Sequence, residues 1–418
     1  MFKAIQALVA LSFLSLATSQ VVASPSSATF KRDNATYCPY YSPRSLSTRQ
    51  NNGNSLSFTG SQWIWTNEFN NGVAPIGTRA FRKTFSPPEG KTPSSLKVAF
   101  AVDNGATLFV NGQAIAAEGN WFAAGTYCVP LKPCTNVIGF SATNAATVPN
   151  PAGLLVTAEV TYTDGSTSHI ASDVSWRTSG PNIPNGWEQL SFDDSSWATA
   201  ISEGPYPNAL YGSIPIGGSD AISIARANWI WTDELPAAAG AVPVGARAFR
   251  RVITLPPGQI AQSAQILIAA DNEYSIYING RFVGTGNGFH AAHRFTVTNI
   301  PDANGQVVVA VYGVNGPTAT SPTAPNPASL LASVQVTSIN PDYGCLKNCS
   351  SVSSIVTDGQ WKANHGTPSG FEKPGFDDST WTNAVIEGGI GMAPWAPVTA
   401  DTTDSAPGTP LPGAPAGN

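Results

Sequence analysis

Asp271 to Val283 reads D-N-E-Y-S-I-Y-I-N-G-R-F-V, and this stretch decides the fold class. Tyr274 to Ile278 alternates as an extended strand does. Asn279-Gly280 then turns the chain into Arg281-Phe282-Val283. Both residues of such a turn need positive φ, which Asn and Gly tolerate, so a two-stranded hairpin is expected. Further upstream, Thr107 to Val110 runs into Asn111-Gly112 and repeats the pattern. Gln265 to Ala270, Val307 to Tyr312 and Leu331 to Val336 are short apolar runs that read as buried strands. No long helical period occurs; Asp194 to Ala200 and Asp378 to Ala384 each suit one short turn after an Asp cap. With 39 Gly and 34 Pro in 418 residues, turns are frequent, and 42% hydrophobic residues can fill real cores. Several strands without a helical layer imply an all-β sandwich or jelly roll.

Comparing the chain with itself shows that the hairpin belongs to a duplicated domain. Trp63-Ile64-Trp65-Thr66 returns as Trp229-Ile230-Trp231-Thr232, and Arg79-Ala80-Phe81-Arg82 as Arg247-Ala248-Phe249-Arg250. Asp103-Asn104 matches Asp271-Asn272, and Asn111-Gly112 matches Asn279-Gly280. Asn150-Pro151-Ala152 matches Asn326-Pro327-Ala328. Phe192-Asp193-Asp194-Ser195 with Trp197 matches Phe376-Asp377-Asp378-Ser379 with Trp381. The order never breaks, and the offset grows only from 166 residues at Trp63/Trp229 to 185 at Trp176/Trp361. The expected division is 60–212 for a first domain, 213–226 for a linker and 227–397 for a second, each folding separately. The Pro/Ala/Gly/Thr-rich stretch 398–418 is expected to be disordered.

The N-terminal stretch points to a compartment. Lys3, an apolar run from Ala4 to Ala17 and small residues up to Ala23 read as a secretory signal peptide over 1–23. An N-terminal segment over 24–59 follows, in which Lys31-Arg32 offers a dibasic processing point. No apolar run is long enough to span a membrane as a helix. Secretion, to the medium or the cell wall, allows glycosylation at the sequons of Asn34 and Asn348. It also allows disulfides. Close spacing favours Cys128–Cys134 and Cys345–Cys349 pairs, leaving Cys38 free or bonded to another chain. A formal charge of −5 without a Lys/Arg cluster excludes a nucleic-acid partner.

Taken together, W-x-W, R-A-F-R, D-N…N-G, an Asn-bearing strand end and F-D-D-S-x-W resemble the galactose-binding-like jelly roll. Such domains accompany β-galactosidases and α-L-rhamnosidases, and the rhamnose-binding module of some rhamnosidases is the nearest variant. The resemblance covers both repeats and implies sugar binding. It does not extend to hydrolysis, because no helical catalytic barrel follows either repeat.

Candidate site residues follow from side-chain chemistry. Asp103-Asn104 and Asp271-Asn272 lie at a strand end, where they offer short, rigid hydrogen bonding to sugar hydroxyls. Asp could also ligate calcium through oxygen, and an Asx-type turn is the structural alternative. Trp121, in the loop Glu118-Gly119-Asn120-Trp121, and its counterpart Phe289 present aromatic faces that can pack on a sugar ring. Asn144 and Asn315 end the later strand of each copy and would complete a polar cluster. The resemblance implies that the Asp-Asn pair contacts the sugar and the loop aromatic stacks on it. The paired tryptophans read as core. The adjacent carboxylates Asp193-Asp194 and Asp377-Asp378 diverge in direction and suit turns. Glu68, Glu118, Glu203 and Glu387 show no partner in the sequence. His290 and His293, three apart on a strand, face opposite ways and form no metal site.

The function expected is that of a secreted lectin-like protein without catalysis, binding a neutral glycan or cell-wall polysaccharide through loops at one end of each sandwich. The alternatives are a glycoside hydrolase or lyase with a site between the domains, and an adhesion or structural protein that binds other proteins.

Overall fold

The computed structural model describes residues 56–218, 222–341 and 349–417. The signal peptide, Lys31-Arg32, Cys38, Cys345 and the sequons of Asn34 and Asn348 lie outside the described residues.

The first repeat opens with β1 (Gln62–Trp65), β2 (Gly77–Phe85), β3 (Pro93–Asp103), β4 (Gly105–Val110), β5 (Gln113–Glu118) and β6 (Gly125–Pro130). It closes with β7 (Asn136–Asn144), β8 (Gly153–Tyr162), β9 (Thr167–Ala171), β10 (Arg177–Ser179), β11 (Ala198–Thr199) and β12 (Ile201–Pro205). The second opens with β13 (Asn228–Trp231), β14 (Gly245–Thr254), β15 (Ile260–Asp271), β16 (Glu273–Ile278), β17 (Arg281–Asn287) and β18 (Ala291–Thr298). It closes with β19 (Gln306–Asn315), β20 (Ser329–Ile339), β21 (Ser350–Val356), β22 (Lys362–Asn364), β23 (Thr382–Asn383), β24 (Val385–Gly389) and β25 (Thr399–Asp404). No helix occurs among the described residues.

Each repeat stacks two sheets. In the first, the orders are β12-β1-β8-β3-β6 and β11-β10-β2-β7-β4-β5. The second keeps both orders, as β24-β13-β20-β15-β18 and β23-β22-β14-β19-β16-β17. The hairpins turn where expected, with φ of 51° at Asn111 and 49° at Asn279, each followed by a positive-φ glycine. Between the layers of the first repeat lie Trp65, Phe81, Phe100, Phe140 and Trp176; Trp231, Phe249 and Trp361 do the same in the second. Each such ring contributes about 1.5–3 kcal/mol by leaving water.

The repeated charged motifs find each other. Arg79 Nε donates to Glu68 at 2.5 Å, and Arg247 Nε to Glu234 at 2.5 Å. Arg82 pairs with Asp194, and Arg250 Nε donates to Asp378 at 2.9 Å. Asp193 and Asp377 accept from the backbone N–H of Ser195 and Ser379 at 2.9 and 3.0 Å, closing tight turns. R-A-F-R and F-D-D-S are therefore two halves of one buried clamp.

Three expectations are corrected. The repeats do not fold as separate sheets. Thr126 of β6 pairs with Val352 of β21, and the facing layers merge into one 13-stranded sheet. Both are edge strands, and edges leave backbone groups that seek partners. The Cys128–Cys134 and Cys345–Cys349 pairing is also overturned: Cys128 is bonded to Cys349. That strand pairing brings their Cα atoms to 5.2 Å, well inside disulfide reach, whatever their distance in sequence. Cys134 is likewise disulfide-bonded.

Finally, the C-terminal stretch is not disordered. β25 pairs in parallel with β18, and the chain then crosses the outer sheet of the second repeat. There Leu411 and Ala414 pack on the cluster around Tyr277 and Tyr312. Tyr277 donates to the carbonyl of Pro415 at 2.6 Å and Tyr312 to that of Pro412 at 3.3 Å. An extended Pro-rich chain leaves its carbonyls free to accept such bonds. The linker is anchored too, with Ile214 and Ile216 in one cluster and Ile222 and Ile224 in another.

Candidate functional site

Asp103 is the last residue of β3 and Asp271 the last of β15. Both Asp-Asn peptide bonds are cis. Across the ladder Asp103 faces Gly153, and Asp271 faces Ser329. The neighbouring β12 and β24 bring Glu203 and Glu387 to the same end of each sandwich.

Aromatic groups close that end. Tyr211 donates to Asp103 Oδ2 at 3.2 Å and stacks on Trp63, with ring centroids 3.9 Å apart. Trp395 Nε1 donates to Asp271 Oδ2 at 2.9 Å and lies 5.4 Å from Trp229. The loop aromatics join them. Trp121 is 5.6 Å from Tyr211, and the Arg226 guanidinium sits 5.7 Å from the Trp121 ring. Phe289 packs in the same cluster as Trp395. Backbone bonds hold both loops to the strand ends: Val102 N donates to Asn120 O at 3.0 Å, and Gly288 N to Asn272 O at 2.7 Å.

Not every expected residue faces outward. Asn104 Oδ1 accepts from Ala145 N at 2.6 Å, and Asn272 Oδ1 from Gly316 N at 2.5 Å, so both pin the following loop. Asn272 also donates to Asp271 Oδ1 at 2.8 Å, whereas Nδ2 of Asn104 has no partner among the described residues. Asn144 and Asn315 are buried, and each donates to loop carbonyls, at 3.0 Å to Ala74 O and to Val242 O. The expected polar cluster therefore excludes them: their amides lace the loops together inside the protein. Asp103 is only 7% exposed and belongs to a strand, so it serves the fold as well as the surface.

Of the two glutamates without a partner in the sequence, Glu387 accepts from Ala239 N at 3.0 Å, whereas both oxygens of Glu203 are buried without a hydrogen bond. Burial pushes the Glu203 carboxyl up to about 9, and the neighbouring Asp103 charge adds to the rise. Burial pushes Glu387 up only to about 7, because hydrogen bonds from Ser329 and Ala239 favour its charged form. Gly153 stands where the second repeat has Ser329 and offers no hydroxyl. Burial also raises Asp103 and Asp271, opposed by Tyr211 and Trp395 respectively. At neutral pH Glu203 is thus a neutral acid beside Asp103. The strand-end Asp carboxyl and the partly exposed loop ring suit a ligand rich in hydroxyls.

Among the described residues no three His, Cys, Asp or Glu side chains gather as a metal cluster. A calcium ion here would have to draw most of its six to eight oxygens from amides, carbonyls, water or ligand. The sequence did carry a signal for the missed residues. Glu203/Glu387 and Tyr211/Trp395 share the offset of 184 residues that separates Phe192 from Phe376.

No protein-family model matches the chain. A curated relative, an α-L-rhamnosidase of Streptomyces avermitilis, is 29% identical over 238 residues, covering 54% of this chain. The match spans only 20% of that enzyme's length. A lectin from Pleurotus ostreatus, solved in complex with GalNAc, is 32% identical, with 80% of this chain and 93% of that chain covered and a TM-score of 0.37. The Streptomyces avermitilis α-L-rhamnosidase solved with L-rhamnose is 22% identical, with 83% of this chain and 33% of that chain covered and a TM-score of 0.34. Its strand pattern, its repeated motifs and the curated match make this chain an all-β protein of galactose-binding-like domains that resemble rhamnosidase accessory modules.

Proposed function

We propose that the protein is a secreted, lectin-like binder of neutral glycans that performs no catalysis. One observation carries this reading. The same constellation of strand-end Asp, buried Glu, closing aromatic and loop aromatic stands at the same end of both sandwiches. Asp103, Asn104 and Trp121 form the first site; Asp271, Asn272 and Phe289 form the second. Two modest sites on one chain gain avidity on a repeating polymer. The sequence likeness to part of an α-L-rhamnosidase supports a sugar as ligand. The charged start with its apolar run and the Cys128–Cys349 bond support secretion. Hydrolysis at these ends has less support, because it needs two carboxyl groups flanking one bond, and both Glu203 oxygens are buried.

A glycan array with the full chain, run with and without a chelator, tests the reading. Binding to neutral glycans without release of reducing ends upholds it. Silence across the array, or hydrolysis of a bound glycan, overturns it.

A further inference from the structure

The Pro-rich tail is held on the outer sheet of the second repeat by contacts that read its sequence. Leu411 to Ala414 form a turn, closed by the bond from Ala414 N to Leu411 O at 3.0 Å. Gly413 has φ of 82°, as the third position of a type II turn demands, and Pro412 suits the second. The turn sets Leu411 and Ala414 against Tyr277, Phe282 and Tyr312. Backbone groups of the tail are bonded on either side of it. Leu411 N donates to Ser275 Oγ at 3.0 Å, and Pro407 O accepts from Thr285 N at 3.0 Å. The Tyr312 and Tyr277 hydroxyls take the carbonyls of Pro412 and Pro415.

The first repeat builds the same sheet without these groups. In register, Phe109 stands for Tyr277, Ser141 for Tyr312 and Ala114 for Phe282. A phenyl ring packs much as a tyrosine does but donates no hydrogen bond, so the fold itself does not call for the hydroxyls. They serve the segment that lies on them. That segment does not fill the surface it crosses. A cleft of about 420 Å³ remains between Asp404, Pro407 and Gly408 of the tail and Phe282, Phe295 and Val297 of the sandwich. A segment with larger side chains there would bury more apolar surface than the tail does. Backbone bonds to an extended chain, with side chains set into a receptor surface between them, are the contacts by which proteins recognise peptides.

We propose that this outer sheet is a recognition groove for a proline-rich segment of another polypeptide, centred on a Leu-Pro-Gly-Ala turn, and that the tail occupies it in cis. The tail is then a tethered competitor, and the groove opens to a partner when the tail is displaced or cut away. Asp103 and Asp271 belong to the other sheets, so the groove is independent of any glycan bound at the sandwich ends.

Fluorescence anisotropy with a labelled peptide of residues 405–418 and the full chain tests this. A chain carrying Leu411→Asp and Ala414→Asp, whose own tail is repelled from the sheet, should bind one equivalent of peptide. Wild type should bind it about tenfold more weakly or worse, because the tethered tail competes. Adding Tyr277→Phe and Tyr312→Phe to the released chain should weaken the peptide about tenfold, with Tm unchanged. A peptide with Gly413→Ala cannot form the turn and should bind about tenfold more weakly as well. Wild type gives a second reading that needs no substitution. At about millimolar peptide, the effective concentration of a short tether, its tail should become open to carboxypeptidase. A released chain that ignores the peptide, affinity indifferent to Gly413→Ala or to the two tyrosine substitutions, or a wild-type tail that stays resistant would each overturn the proposal. Wild-type dimers that form with rising concentration and vanish with Leu411→Asp and Ala414→Asp would give the groove to a second copy's tail, and overturn the assignment to another polypeptide.

Discussion

Cys128 of β6 is bonded to Cys349 across the seam between the repeats, 221 residues away along the chain. Closing so long a loop restrains the unfolded chain strongly, with a typical gain of about 2–4 kcal/mol. Cys128→Ser should therefore lower Tm by several degrees. Peptide mapping under non-reducing conditions should recover the two cysteines in one fragment. Recovery of a Cys128–Cys134 fragment would contradict the seam.

Glu203 makes stability depend on pH. Its folded pKa, about 9, lies above the ordinary 4.5. The native state therefore holds a proton that the unfolded chain has lost between these values. The contribution is fully present below pH 4.5 and is lost as pH rises through 9. Each pKa unit is worth about 1.4 kcal/mol, so the loss amounts to a few kcal/mol in order of magnitude. Glu203→Gln should flatten this decline and raise Tm more at pH 9 than at pH 5. Denaturation across that range, in which both proteins decline equally, would refute the assignment.

The Arg82–Asp194 clamp is buried on its arginine side, with 2% exposure against 20% for Asp194. Asp194→Ala leaves the guanidinium uncompensated, at a cost of about 3–5 kcal/mol. Arg82→Lys should not rescue, since Arg82 also donates to the Trp187 and Gln189 carbonyls at 3.0 and 2.9 Å. Urea midpoints of the two variants measure this directly.

Trp121→Ala and Phe289→Ala remove ring faces worth about 1–2 kcal/mol each, or tenfold or more in glycan affinity. Both rings are partly exposed, so Tm should change little. Asp103→Ala should instead lower both affinity and Tm, because Tyr211 loses its acceptor. Equal affinity in all three variants would move the glycan elsewhere.

Truncation after Asp404 removes Leu411 and Ala414 from the second repeat and leaves the Tyr277 and Tyr312 hydroxyls without their carbonyl acceptors. The variant should melt a few degrees lower, and the intact C-terminus should resist proteases under native conditions. Rapid trimming of the wild-type tail would show that it is not docked.

The sequence by itself determined the strands, the Asn-Gly hairpins, the duplication and the Asp and loop aromatics of the candidate sites. Those signals are local: alternation, turn residues with positive φ, and motifs copied within one chain. What only the tertiary structure decided is how separate stretches meet. It paired R-A-F-R with F-D-D-S, set Glu203 beside Asp103 and gave Trp395 to Asp271. It turned Asn144 and Asn315 inward, joined Cys128 to Cys349 and laid the Pro-rich tail on a sheet. Spacing along a chain cannot settle such contacts, because edge strands pair with whichever edge the packing brings near. A carboxyl's charge, likewise, depends on the water and charges left around it after the chain has folded.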